Sequence, residues 1–502
     1  MRRAEMDEGG ALVGHVRLDS PAGRGVIAAT VAGGSVTMLT GSAVFVALPS
    51  IADDLDASSS QQQWIVNAFL LIVSSLILVG GTLGDRYGRV RMYRIGIGWV
   101  GTVSIALSFA PNIETLIAGR LVEATGAALV IPGSLSILEA TLHPDDRGRG
   151  IGLWAGLVGL AAAIGPLSGG LLLEVSWRTV FLLNVPSVII ALLASRGVPE
   201  SSNPSARDSP IDWLGAALSI VILGGLSFAL IEGSNSGLVG LPGVLAILAI
   251  VAVVALVRFE PGHPGAIVPL DLFGHRTFTA ANAITFLLYG AIGAVFFLVP
   301  TQLQVTLGFS AFEASLVFVP LTILMLAFSA SAGDFAQKHG PRGPLVIGSI
   351  VIAASLFGFS LIGPGRSSLL FVLLVATVFG AGLAAVVAPI TSTALAVPEA
   401  RAGAASGFNN AISRTAQLLS VASIPTVAGL TGNALSIPEQ LNDGYRTAML
   451  IVAVIVLVTA GVAGALLSSQ STPAGVEAPR HHRACAIDGA VPQRLREPER
   501  AS

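Results

Sequence analysis

The chain has 502 residues, of which 53% are hydrophobic and only 11% charged, where soluble domains carry about 25% charged residues. That balance excludes an ordinary soluble protein: a water-facing surface needs several times more charge, and a lipid-facing one needs almost none. With 27 basic and 29 acidic residues the net charge is -2, so no basic excess points to nucleic acid as a partner.

In chain order, residues 1–25 carry Arg2, Arg3, Glu5, Asp7, Glu8, Arg17 and Arg24 with no apolar core. They are expected to form a cytoplasmic tail and not a cleavable signal. A spanning helix needs about 20 mostly apolar residues to cross a ~30 Å hydrocarbon core. Fourteen candidate stretches follow, near 26–52, 63–83, 95–110, 116–138, 151–173, 179–195, 214–231, 241–257, 278–300, 314–332, 344–363, 369–391, 403–430 and 445–467. The longest internal connections, 196–213 and 258–277, bracket the seventh and eighth stretches. The expected fold is therefore an all-α integral membrane protein with 14 transmembrane helices. Its N-terminal six-helix bundle covers 26–195, a linker with two extra helices covers 196–277, and a C-terminal six-helix bundle covers 278–467. The tail 468–502 is rich in proline and charge and is expected to be disordered. Its His481, His482 and lone Cys485 make no closed metal site, so neither metal nor other cofactor is expected.

Basic residues resist translocation and so set orientation. With both termini in the cytoplasm, cytoplasmic segments hold 22 of the 27 basic residues; Arg178, Arg366 and Arg446 fall outside, and Arg120 and Arg414 lie within spans. Trp64, Trp177 and Trp213 sit at span ends, as an aromatic belt requires. Only Lys338 is lysine, and Ala, Gly and Val abound. This bias suggests a GC-rich bacterial source and hence a plasma membrane.

Gly81 to Arg91 follows the second span, and Gly333 to Arg342 follows the tenth. The two loops superpose with Gly81 on Gly333 and Gly88 on Gly340, while Gln337 stands where the first copy has Asp85. Two copies in equivalent places point to a duplicated architecture with a pseudo-twofold axis.

With these loops the chain resembles the major facilitator superfamily, in particular its fourteen-helix drug:proton antiporter family, over roughly residues 26–467. The family's loop G-x-L-x-D-R-x-G-R-x-R is matched by Gly81, Gly84, Asp85, Arg86, Gly88, Arg89 and Arg91. The resemblance implies a cytoplasmic gate in which the Asp caps a helix end and the arginines pair with carboxylates. The fifth span carries Gly165, Pro166, Gly169 and Gly170, similar to the G-P-x-x-G-G of exporters; proline bends a helix and glycines admit close helix contact. Trp64 to Phe69, Trp177 to Pro186 and Asp212 to Gly215 are also similar to the family's pattern.

Glu123 is the only carboxylate inside these spans, three residues after Arg120, and a charge at mid-bilayer costs about 2.5–3.5 kcal/mol even on the lenient insertion scale. The family's acid on the first span is replaced by Thr40. Two roles stay open for Glu123: the proton carrier, with Arg120 tuning it, or a permanent ion pair with Arg120. Candidate cavity residues are Thr40, Asn67, Asn282, Tyr289, Gln302, Asn409, Asn410, Arg414 and Gln417. For Arg414 either an anionic cargo or Glu123 is the expected partner.

The resemblance implies export of small amphipathic compounds such as drugs from the cytoplasm by proton antiport and alternating access. The alternatives are export of an endogenous metabolite or lipid, or a carrier not coupled to protons. No G-x-x-x-x-G-K-[ST] loop is present for ATP, and the seven scattered histidines argue against an enzyme. Expected partners are a small-molecule cargo, protons and the bilayer, and a monomer is compatible with this architecture.

Overall fold

The computed structural model describes residues 15–203, 210–260, 270–365, 367–397 and 401–467. Residues 1–14, the C-terminal tail and Arg366 lie outside that range. The described chain is helical throughout, in the order α1 Pro21–Leu55, α2 Ser59–Tyr87, α3 Arg89–Leu107, α4 Ile113–Thr141, α5 Pro144–Leu173, α6 Arg178–Leu182, α7 Asn184–Ser195, α8 Trp213–Ser236 and α9 Leu241–Phe259. After the linker come α10 Arg276–Thr301, α11 Ala311–Ser315, α12 Phe318–His339, α13 Arg342–Ser360, α14 Leu369–Ala394, α15 Ala402–Val427 and α16 Pro438–Leu466.

Among the described residues twelve helical stretches are long and apolar enough to cross a membrane. The two remaining expected spans, α3 and α15, fall short of that measure. Arg89, Arg91 and Arg94 crowd the first two turns of α3, and α15 carries Asn409, Asn410, Arg414 and Gln417. The first span also starts earlier than its apolar run. Pro21 occupies the first helical turn, and the Ser20 hydroxyl accepts the Gly23 N–H at 3.0 Å, a cap that starts the helix ahead of Arg24. Where one helix was expected over 179–195, α6 and α7 are separated at Leu183, because Pro186 has no N–H for the Leu182 carbonyl. Pro320 breaks α11 from α12 in the same way.

The duplication expected from the loops recurs in the packing. In the first group of helices α2 packs on α4, α1 on α5, α3 on α4 and on α7, and α1 on α7. In the second, α12 packs on α14, α10 on α15, α13 on α14 and on α16, and α10 on α16. The groups meet where α2 packs on α15 and α5 on α11 and α12. The α8–α9 pair leans on this seam through α8, which touches α2 and α15. The outward face of α9 is bare Ile247, Ile250 and Val254, a surface suited to lipid.

Successive spans alternate in direction, with α6–α7 and α11–α12 each counting as one, so both described chain ends lie at the end of the molecule that holds Tyr87. The hydrogen bonds joining the two groups gather at the opposite end, near Leu55. There the Ser59 N–H donates to the Gly432 carbonyl at 3.0 Å and the Leu435 N–H to the Ser59 hydroxyl at 3.0 Å. Gln304 donates to the Val46 carbonyl at 3.0 Å and Gln62 to the Ser436 hydroxyl at 3.4 Å.

Candidate functional site

A cavity lies between the two groups, walled by α1, α2, α4 and α5 on one side and α10 and α15 on the other. It encloses about 680 Å³ of atom-free space, its open mouth included. Its wall is mostly apolar, with Phe45, Phe69 and Phe296 among the lining, and its polar groups are few: Thr37, Ser42, Gln417 and the guanidiniums of Arg120 and Arg414. Glycine shapes the far side, since a Cβ on Gly293 of α10 would sit 3.0 Å from the Gln417 backbone.

The two arginines are held differently. Arg120 is 1% exposed and donates from Nη1 to Glu123 Oε2 at 2.6 Å and from Nε to the Ile65 carbonyl at 3.2 Å, with its guanidinium 4.5 Å from the Phe69 ring centre. Glu123 is fully buried behind it, and its other oxygen accepts the Ser104 hydroxyl at 2.5 Å. Asn184, the first residue of α7, donates to Ser104 at 3.2 Å. A polar chain thus runs from the cavity wall on α4 through α3 to α7. Each residue in it is bonded to the next, and the Asn184 carbonyl oxygen is left without a partner. Arg414 lacks such support: among the described residues no carboxylate pairs with it and none of its N–H groups has a hydrogen-bond partner. Its electrostatic neighbour is the Tyr289 phenol.

Of the expected cavity residues, Arg414 and Gln417 line the cavity, while Thr40, Asn67, Asn282, Tyr289, Gln302, Asn409 and Asn410 are not among its lining. Thr40 turns its hydroxyl to the Val36 carbonyl at 2.8 Å within α1. Asn409 instead ties α15 to α10, donating to Asn282 at 3.2 Å and Thr285 at 3.0 Å. Gln302 donates to Asn442 at 3.1 Å and to the Ile362 carbonyl at 3.3 Å, and Asn410 bonds back to the Ser406 carbonyl at 3.1 Å. Asn67 is buried with neither amide atom partnered. Sequence reasoning missed Thr37, Ser42 and Phe45, although their near-helical spacing marks one face of α1, and it missed Ser104, which no local pattern distinguishes.

The loop after α2 is a single residue, Gly88, at φ 107, and the loop after α12 turns on Gly340 at φ 85. Only glycine adopts such conformations freely. Arg89 pairs with Asp85 at 2.7 Å, with side chains 21% and 34% exposed. The cap of α3 comes from elsewhere: the Glu200 carboxylate, beyond α7, accepts the Val90 and Arg91 N–H groups at 2.9 Å each. The resemblance assigned capping to the aspartate, whereas at the N-terminus of α3 this glutamate does it. A carboxylate there meets two unsatisfied donors and the positive end of the helix. Glu200 lies so close that a Cβ on Gly88 would be 2.9 Å from its carboxyl carbon. On α5, Gly165 abuts Ser42 and Gly169 lies against Ala43, where a Cβ would sit 3.2 Å from the Ala43 Cβ. Gly170 faces the other group, where a Cβ would lie 2.8 Å from the Ser315 hydroxyl. The glycines flanking Pro166 therefore seat α5 on α1 and on α11.

The sequence model of the Major Facilitator Superfamily matches residues 30–421. The chain belongs to that superfamily. It is a multi-pass membrane transporter and not an enzyme. Among its relatives are the tetracenomycin C resistance and export protein of Streptomyces glaucescens, 31% identical over 76% of this chain and 71% of the relative. The multidrug efflux pump LfrA of Mycolicibacterium smegmatis is 30% identical over 76% of each chain. The riboflavin transporter RibZ of Clostridioides difficile is 30% identical over 74% of this chain and 81% of the relative. The fold is similar to that of a bacterial homolog of the human lysosomal transporter Spinster in an inward-facing, unoccupied conformation. The TM-score is 0.64 at 16% identity, covering 89% of this chain and 97% of that one.

Proposed function

We propose that this facilitator exports small amphipathic compounds such as antibiotics from the cytoplasm, by alternating access coupled to proton entry. The observation that carries the proposal is the apolar, arginine-bearing cavity between two helix groups that are hydrogen-bonded together at one end. Resistance and efflux relatives support the direction of transport and the class of cargo. In this account all fourteen expected stretches span the membrane, α3 with its arginines at the cytoplasmic face and α15 with its polar side turned inward. The bundles 26–195 and 278–467 rock about the cavity, with 196–277 as linker and both termini cytoplasmic. The Leu55 end is then extracellular and closed, and the loop from Gly81 to Arg91 serves as the inner gate, braced by Glu200.

For coupling, Glu123 takes the proton and Arg120 is its counter-charge. Protonation removes the partner of a buried arginine, so the pair has to rearrange, and a rearrangement linked to helix packing is what coupling requires. Drug-driven proton movement in everted vesicles tests this, with Glu123→Gln expected to abolish it while binding persists. Unchanged coupling would make the pair structural. A panel of toxic compounds given to an efflux-deficient host, with protonophore controls, tests the cargo. The similarity to RibZ favours a metabolite exporter as the second reading, and resistance to nothing in the panel would support it.

A further inference from the structure

Resting on this export reading, we propose that the cargo of the cavity is an anion: an apolar, aromatic body bearing one delocalised acidic group, a carboxylate or an ionised phenol, which docks on Arg414. Two guanidiniums reach the cavity wall, and Glu123 is the acid within ion-pairing distance of one of them. That acid is spent on Arg120 at 2.6 Å and enclosed behind it, where a cationic cargo cannot reach it. Arg414 keeps its full charge, with no carboxylate against it and none of its donors bonded among the described residues. Tyr289, its electrostatic neighbour, is neutral at physiological pH and supplies no counter-charge.

An uncompensated cation in an apolar, low-dielectric wall is costly, and a bound anion is the partner that offsets the cost. Guanidinium offers paired N–H donors that match a carboxylate. Gln417, three residues along the same helix and also on the wall, adds an amide. Phe45, Phe69 and Phe296 offer rings to the apolar body. The choice of an anion also bears on Thr40. A monoanion leaving a cell whose interior is about 100 mV negative is expelled by the field alone to roughly a fiftyfold gradient, so an exporter of anions has less need of a second acid on α1.

The test uses three probes with one aromatic body: 1-pyrenebutanoic acid, its primary amide, and the corresponding trimethylammonium. Affinity is measured by calorimetry on the purified full-length protein, as the ratio of wild type to Arg414→Gln, which cancels partition into detergent. The acid is expected to bind wild type most tightly and to lose about tenfold in Arg414→Gln. The amide should stay within about twofold, and Arg414→Lys should recover part of the loss. If the amide or the cation binds wild type as tightly as the acid, or if Arg414→Gln weakens all three alike, the proposal is overturned. Should Arg414→Gln not fold, the wild-type ranking decides once each probe's partition into protein-free detergent has been measured and subtracted. Transport of the same probes in everted vesicles separates the two levels. Charge-selective binding with no probe moved defeats export and leaves the anion site standing, whereas movement of amide and cation but not acid does the reverse.

Discussion

The two helix groups share a packing plan and differ in their polar chemistry. In the first, each embedded charge is matched: Arg120 by Glu123, Glu123 by Ser104, Ser104 by Asn184, and the short loop by Asp85, Arg89 and Glu200. In the second, Arg414 faces the cavity bare, and the equivalent loop has Gln337 where the first has Asp85. Duplication kept what backbone contact demands, the glycines at the helix turns and the pairs of packed helices, and left the polar groups free to diverge. One group pairs its embedded charges and the other presents an unpaired one.

The largest test of that contrast is Glu123→Ala. It strands Arg120 in a buried site and should cost about 3–5 kcal/mol, read as a lowered unfolding midpoint in detergent. Arg414→Gln should leave the midpoint unchanged or raise it, and equal losses in the two variants would break the comparison. Next, Ser104→Ala removes a hydrogen bond to a buried carboxylate and should cost about 1.5–3 kcal/mol, while Ser413→Ala, whose hydroxyl only returns to the Asn410 carbonyl, should cost well under that. Gly88→Ala and Gly340→Ala each force a side chain into the positive-φ region, for about 1–3 kcal/mol of strain. Gly88→Ala should be the worse of the two, because Glu200 crowds it. The smallest effect is expected from Asp85→Asn: the Asp85–Arg89 pair is partly exposed, at 34% and 21%, and the amide can still accept a hydrogen bond, so about 1 kcal/mol or less is lost and the midpoint should barely move. A loss of transport in that variant would then report gating and not folding.

Several of these contrasts could not be drawn from the sequence. The partnership of Arg120 and Glu123 was legible because three residues on one helix set their distance. Gly88 and Gly340 were legible because the copies repeat at a fixed offset, and the turn they make follows from glycine's freedom. Glu200 was not, since it reaches the start of α3 from 110 positions along the chain, and no local pattern reports such a meeting. For the same reason Asn282, Asn409 and Gln302 read as cavity groups when taken one by one. Whether a polar side chain faces the cavity or a neighbouring helix depends on that helix's rotation, which is set by the helices around it. Breaks at Pro186 and Pro320 were visible as prolines but not as breaks, because proline only kinks a helix when neighbours stabilise the continuing backbone.

By itself the sequence determined the class and plan of this transporter: a membrane protein by its scarcity of charge, a duplicated one by its repeated loops, a member of its superfamily by the residues on them. Those properties follow from composition and local spacing, which the chain carries whatever its packing. The tertiary structure decided which charge is free. Spacing on α4 gives Glu123 to Arg120, but only the packing of α15 across the cavity leaves Arg414 on the wall with no carboxylate against it. A free charge is a property of distances between helices, and those are fixed only when the helices pack.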